Sequence, residues 1–128
     1  MNREIEFRGK RLDNDKWVCG DLVHDGQCGC YIYPLDSLGL FVENKVDPDT
    51  VGQFTGLRDK NGKDIYEGDI VKCEDFVYQV IYEGKRMASF ALHRKEDVFL
   101  HYFGEAIEAE DCEVIGNIHD NKELLNKK

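Results

Sequence analysis

Short apolar runs separated by turn residues recur along the chain, and most are too short for a helix. Period-two alternation begins at Ile5 and Phe7. Arg11-Leu12, the polar trio Asp13-Asn14-Asp15 and Lys16-Trp17-Val18 predict a first hairpin. A second is predicted from residues 17–23 and 28–33 around His24-Asp25-Gly26-Gln27, whose Asp-Gly pair suits the centre of a turn. If Val23 faces Cys28, then Trp17, Cys19, Val23, Cys28 and Ile32 share one face, because side chains alternate across a strand, and that face is expected to be buried. Residues 34–39 read as a loop and Leu40-Phe41-Val42 as a short strand.

From residue 46 to 72 the punctuation is regular. Asp47-Pro48-Asp49 is turn chemistry, since Pro48 presets φ; Asn61-Gly62, between Asp59 and Asp64, can supply the positive φ values of a tight hairpin. In Glu67-Gly68-Asp69-Ile70-Val71, Gly68 permits a sharp turn, Asp69 can bond nearby amides, and Ile70-Val71 starts a strand. That opening is similar to the Gly-Asp-x-Val start of SH3-type barrels. Five runs follow it, at 70–73, 77–82, 89–92, 98–103 and 114–118, each rich in β-branched or aromatic residues, with a helical turn around 103–107 the alternative for residues 98–107. Asp120, with Glu123 three positions on and Leu124-Leu125 beyond, predicts a short capped helix that must dock on something larger to persist. The expected fold is mainly β: an N-terminal β-hairpin subdomain over 1–56, then a small SH3-like β-barrel with a short C-terminal helix over 57–128.

Composition narrows the function classes. The chain has 128 residues and a formal net charge of −9, spread as 10 acids against 6 bases in residues 1–56 and 16 against 11 in the rest. This balance argues against nonspecific nucleic-acid binding, which draws its affinity from neutralising phosphates. The N-terminal segment carries a local basic bias in Arg3, Arg8, Lys10, Arg11 and Lys16, whereas residues 96–113 hold seven acids and no Lys or Arg. A charged N-terminus and the lack of a long apolar run predict a cytoplasmic protein with no membrane contact. Five cysteines, irregularly spaced, fit a reducing compartment in which thiols serve as small core residues.

Candidate chemistry is sparse. Cys28 and Cys30, with Cys19 and His24 nearby, form the best metal candidate, but the C-x-x-C spacing of zinc knuckles is absent and Cys73 and Cys112 stand apart, so buried thiols are the favoured reading. Asp47, Asp49, Asp59, Asp64, Glu67 and Asp69 fit turns better than a divalent-cation site. Phosphate-loop, dinucleotide, zinc-protease and nucleophile-elbow motifs are missing. No catalytic residue, metal or cofactor is expected. Tyr31, Tyr33, Tyr66, Tyr78, Tyr82, His101 and Tyr102 include several that alternate with apolar positions and are expected to face outward. Base stacking on them needs neighbouring cations. Lys85, Arg86, Arg94 and Lys95 flank Phe90 for that purpose, and Arg8, Lys10 and Arg11 offer a second set.

Three stretches carry a family resemblance: FRGKRLDNDKWVCGDLV at 7–23, VDPDTVGQFTGLRDKNGKDIYEGDIVK at 46–72 and EVIGNIHDNKELL at 113–125. The chain resembles the YopX family of small phage and prophage proteins. The resemblance implies a phage or prophage origin and expression in a bacterial cytoplasm, and it brings no activity with it. The expected role is a noncatalytic interaction module that self-associates or binds a host or phage protein. The alternative is a nucleic-acid-associated small barrel using Arg8, Lys10, Arg11, Lys85 and Arg86.

Overall fold

A computed structural model describes residues 5–26, 29–34, 44–85, 88–97, 100–104 and 107–126. The expected strand at 40–42, together with Arg3, Cys28, Arg86 and Val98, lies outside them. The chain forms two compact units, Met1–Phe54 and Thr55–Lys128.

In the first unit, β1 (Phe7–Lys10), β2 (Trp17–Asp25), β3 (Gly29–Tyr33), β4 (Asn44–Val46) and the start of β5 (Gly52–Arg58) lie in the antiparallel order β4-β3-β2-β1-β5. Both predicted hairpins form. The second closes with Asp25 opposite Gly29, which puts Val23 opposite Tyr31 rather than Cys28. This offset splits the expected face, because an odd slip changes which side of β2 shares a face with Ile32: Ile32 is buried as expected, but its β2 neighbours on that face are even-numbered. Val18, Leu22, Cys30, Ile32 and Val46 make the core, with Ile32 and Val46 fully buried. Trp17, Cys19 and Val23 face away from it. Each large aliphatic side chain so buried contributes about 1.5–3 kcal/mol.

The Asp-Pro-Asp turn closes as its sequence predicts. Pro48–Thr50 is a single 3-10 turn capped by Asp47, whose carboxylate accepts from the Asp49 N–H at 3.0 Å. Thr50 Oγ1 donates to the Asp47 carbonyl at 2.6 Å and accepts from the Lys10 N–H at 2.9 Å, fastening the turn to β1.

The second unit opens with a hairpin of the later part of β5 and β6 (Asp64–Tyr66), followed by β7 (Asp69–Cys73), β8 (Phe76–Glu83), β9 (Ser89–His93), β10 (His101–Tyr102) and β11 (Cys112–Asn117). The last five form a sheet in the order β10-β9-β8-β7-β11. It is an open sheet and not the expected closed barrel. A barrel needs its two outer strands to pair. Here β10 is two residues long, and the outer edge of β11 is taken by the turn after β5, where Lys60 N–H donates to the Cys112 carbonyl at 2.9 Å and Val114 N–H to Asp59 Oδ2 at 2.8 Å. Ile65, Val71, Tyr78, Val80, Leu92 and Ala109 pack the core beside Cys73 and Cys112.

Those two cysteines, which the sequence leaves apart, are bonded as a disulfide between directly opposed positions of β7 and β11, Cα atoms 4.6 Å apart. The separation is that of a close, non-hydrogen-bonded antiparallel pair. The entry to β7 is as expected: Gly68 has φ +94°, and Asp69, 1% exposed, accepts the Tyr66 N–H at 2.7 Å. In the 59–63 turn only Gly62 takes a positive φ, +80°, and Asn61 does not. The C-terminal element is a 3-10 helix, Lys122–Asn126. Its lead-in is organised by Asn117, whose Oδ1 accepts from the His119 and Asp120 N–H groups, and by Asn121, whose Oδ1 accepts from the Asn117 N–H. Asp120 lies within this lead-in, its carboxylate accepting from Asn117 Nδ2 at 3.2 Å, and the helix starts two residues after it.

Candidate functional site

The outer face of the first unit's sheet follows from register. Lys10 lies opposite Trp17 and Arg8 opposite Cys19, so all four share one side. The Arg8 guanidinium sits 4.7 Å from the Trp17 ring centroid and the Lys10 ammonium 5.7 Å from it, two cations over one indole. Asp21–Tyr33 and then Val23–Tyr31 are the next opposed pairs on this face, with Lys45 of β4 opposite Tyr31. The Tyr31 and Tyr33 rings are 6.4 Å apart. Val23 is 47% exposed. The result is an aromatic surface with cations at its rim, on a protein of net negative charge.

A second constellation lies in the other unit, between β9 and β10. Asp97 is held at both carboxylate oxygens by Arg94, at 2.7 Å from Nη2 and 3.3 Å from Nε, and Oδ2 also meets His101 Nε2 at 2.9 Å. The Arg94 hydrogen bond, then that of His101, holds the Asp97 carboxyl below its ordinary range in spite of partial desolvation. Arg94 also stacks on Phe76, 4.2 Å from the centroid, and His101 meets Tyr78 edge-on at 5.6 Å. Burial, with the Asp97 charge next, pushes the Tyr78 phenol up. A cleft of about 250 Å³ opens here, lined by Cys73, Glu74, Phe76, Tyr78, His101, Ile107 and Asp111. Chemically, the Asp–His pair fixes an imidazole at the cleft wall, and the sulfur beside it is already bonded to Cys112.

Of the residues singled out from sequence, Arg8 and Lys10 are brought together. Arg11 turns away into an ion pair with Asp13 at 2.7 Å. Lys85 lies in the other unit, in the exposed turn after β8, where its N–H donates to the Glu83 carboxylate; Arg86 is outside the described residues. The described members of the basic set are therefore divided between the two units. Tyr66 and Tyr78 are core residues, while Tyr82 is exposed against Phe90. Cys30 points into the core and Cys19 to the opposite face, so these two do not converge; Cys28 is outside the described residues. The acids fill turns: Asp47, Asp59 and Asp69 accept backbone N–H groups, and Asp64 pairs with Arg58 at 2.9 Å. Sequence reasoning missed the packing of two cations on Trp17, though Arg8, Lys10 and Trp17 across one hairpin turn are signal enough. It missed Arg94–Asp97–His101 because loop residues follow no period.

Comparison with known proteins agrees with this fold. The crystal structure of protein EF1440 from Enterococcus faecalis is similar at 22% identity, with a TM-score of 0.53 over 97% of this chain and 99% of that one. No curated protein matches the chain. The family model described as YopX protein matches residues 6–126, nearly the whole length, and the chain therefore belongs to the YopX family.

Proposed function

We propose that this is a noncatalytic phage or prophage accessory protein that acts in the bacterial cytoplasm by binding protein, either another copy of itself or a host or phage protein. The observation that carries the reading is the outer sheet face of the first unit: Trp17 under Arg8 and Lys10, with Tyr31, Tyr33 and the exposed Val23 beside it. Tryptophan, tyrosine and arginine are the side chains on which interface energy concentrates. Rim cations on a chain of net charge −9 suit an acidic partner surface, and another copy of this chain is one.

The test is light scattering across a concentration series, with a tagged pull-down from the host, for wild type, Trp17→Ala and Val23→Asp. Self-association or a specific captured protein, lost in both variants while circular dichroism is unchanged, supports the reading. A wild type that stays monomeric and captures the same proteins as Val23→Asp refutes it.

The stacking of two cations on an indole favours a second reading, a single-stranded nucleic-acid platform, in which bases lie on the aromatics and Arg8 and Lys10 track phosphates. Retention on single-stranded DNA that falls steeply with salt and vanishes in the triple variant Arg8→Ala, Lys10→Ala, Arg11→Ala would establish it and displace the first.

A further inference from the structure

We propose that Cys73–Cys112 is a thiol–disulfide exchange site, opened by a low-molecular-weight thiol that enters through the cleft beside His101. Three observations carry this. The bond joins directly opposed residues of neighbouring strands, so both sulfurs remain facing each other whether bonded or reduced. Both cysteines are buried, but unequally: Cys73, 5% exposed, ends β7 at the β7–β8 hairpin and lines the 250 Å³ cleft, whereas Cys112 is 0% exposed. Finally, Cys112 Sγ lies 3.4 Å from the Glu108 carbonyl, an acceptor already in place for the S–H that reduction creates. The core thus provides for both states.

Geometry fixes the direction of exchange. An incoming thiolate attacks Cys73 Sγ from the cleft; a sulfur–sulfur bond forms there, the Cys73–Cys112 bond breaks, and its electron pair leaves on Cys112 Sγ, which takes a proton from water and turns to the Glu108 carbonyl. A second thiolate then attacks the outer sulfur of the mixed disulfide and releases Cys73 as a thiolate that protonates. In sum, one protein disulfide and two small thiols become two protein thiols and one small disulfide. Oxidation runs the same path backwards with the small disulfide as oxidant. The bond spans a sequence separation of 39 residues, from β7 to β11, so its state sets how firmly β11 is tied into its sheet. In the reducing cytoplasm of the role proposed above, on which this point rests, disulfides are uncommon unless they are exchanged, which suits an exchange site better than a permanent staple.

The experiment uses the native full chain in glutathione buffers of graded ratio, quenched with N-ethylmaleimide and read by peptide mass spectrometry. Cys73 and Cys112 are expected to change together between unlabelled and labelled forms, with faster hydrogen exchange at β11 amides when reduced. With oxidised glutathione, Cys112→Ser is expected to trap a glutathione adduct on Cys73 about tenfold faster than Cys73→Ser traps one on Cys112, because access governs the attack. The proposal is overturned if the bond yields to glutathione only after denaturation, if the two cysteines stay reduced in oxidised glutathione, or if the two variants trap at equal rates.

Discussion

Replacing Asp59 is expected to loosen the second unit by removing the point where its first hairpin meets its last strand. The carboxylate is 6% exposed and accepts three backbone N–H groups: Asn61 at 2.8 Å and Lys63 at 2.9 Å on Oδ1, and Val114 at 2.8 Å on Oδ2. Asn61 and Lys63 lie in an exposed turn, so water replaces the carboxylate there at a cost of about 0.5–1 kcal/mol each. The Val114 N–H is partly buried and loses a charged acceptor, which costs about 1–3 kcal/mol. Asp59→Ala should therefore cost about 2–5 kcal/mol, and Asp59→Asn about 1–3, since its amide keeps one oxygen but must turn an N–H₂ toward one of the two sides. The sign of the pH dependence follows from the folded state. Burial raises the Asp59 pKa, but the bonds from Val114, Lys63 and Asn61 outweigh it and leave the group below its ordinary 3.8. Its stabilising contribution is thus complete above 3.8 and lost as pH falls through the lower folded value. The assay is urea unfolding followed by near-UV circular dichroism of the buried Tyr66 and Tyr78, because the chain's single tryptophan is in the other unit. A difference between wild type and Asp59→Asn below about 0.5 kcal/mol at pH 7, or one undiminished at pH 2, would refute the reasoning.

Core truncations should be costlier. Leu92→Ala in the second unit, by tyrosine circular dichroism, and Ile32→Ala in the first, by Trp17 fluorescence, are each expected to lose about 2–5 kcal/mol, both side chains being fully buried. Gly116→Ala places a Cβ 2.6 Å from Asn121 Oδ1 and 2.9 Å from its Cβ, so the asparagine lead-in must shift; a cost of about 1–3 kcal/mol and faster amide exchange at residues 117–124 are expected. Asp97→Asn should free Arg94 and His101 together, seen as faster exchange across 94–101 at neutral pH. In wild type the same loosening should begin only as pH falls below the ordinary carboxylate value, because the Arg94 and His101 bonds hold the Asp97 carboxyl low.

Local chemistry was legible in the sequence wherever one turn decides it. Asp47-Pro48-Asp49 and Gly68-Asp69 do what their side chains and φ preferences dictate, and the strand runs of the second half appear close to where alternation puts them. What was not legible depends on register or on distant partners. Ile32 is buried as its pattern predicts, but Trp17, Cys19 and Val23 lie on the other face because the closing pair is Asp25–Gly29, and a hairpin's register lies in its turn. Strand count could not reveal that the sheet stays open, since a side chain and an amide of the 59–63 turn, more than 50 residues before β11, occupy the edge a barrel would use. The Cys73–Cys112 pairing is likewise a matter of which strands are neighbours. On the candidate face, Arg8 and Lys10 are legible as a basic pair, but alternation alone points Trp17 inward; in the Arg94–Asp97–His101 cluster, Arg94 and His101 carry a sequence signal and Asp97 does not.

The Asp59 turn also bears on how the chain can be handled. A hairpin tip is the usual place to insert an affinity tag or a fluorescent reporter, and Asn61-Gly62, exposed and glycine-bearing, looks inviting. Cutting there would pull the carboxylate off Val114 and Lys60 off Cys112, and so release β11 from the side opposite its disulfide. The turn after β8, at Gly84 and Lys85, is exposed and is the better site for grafting.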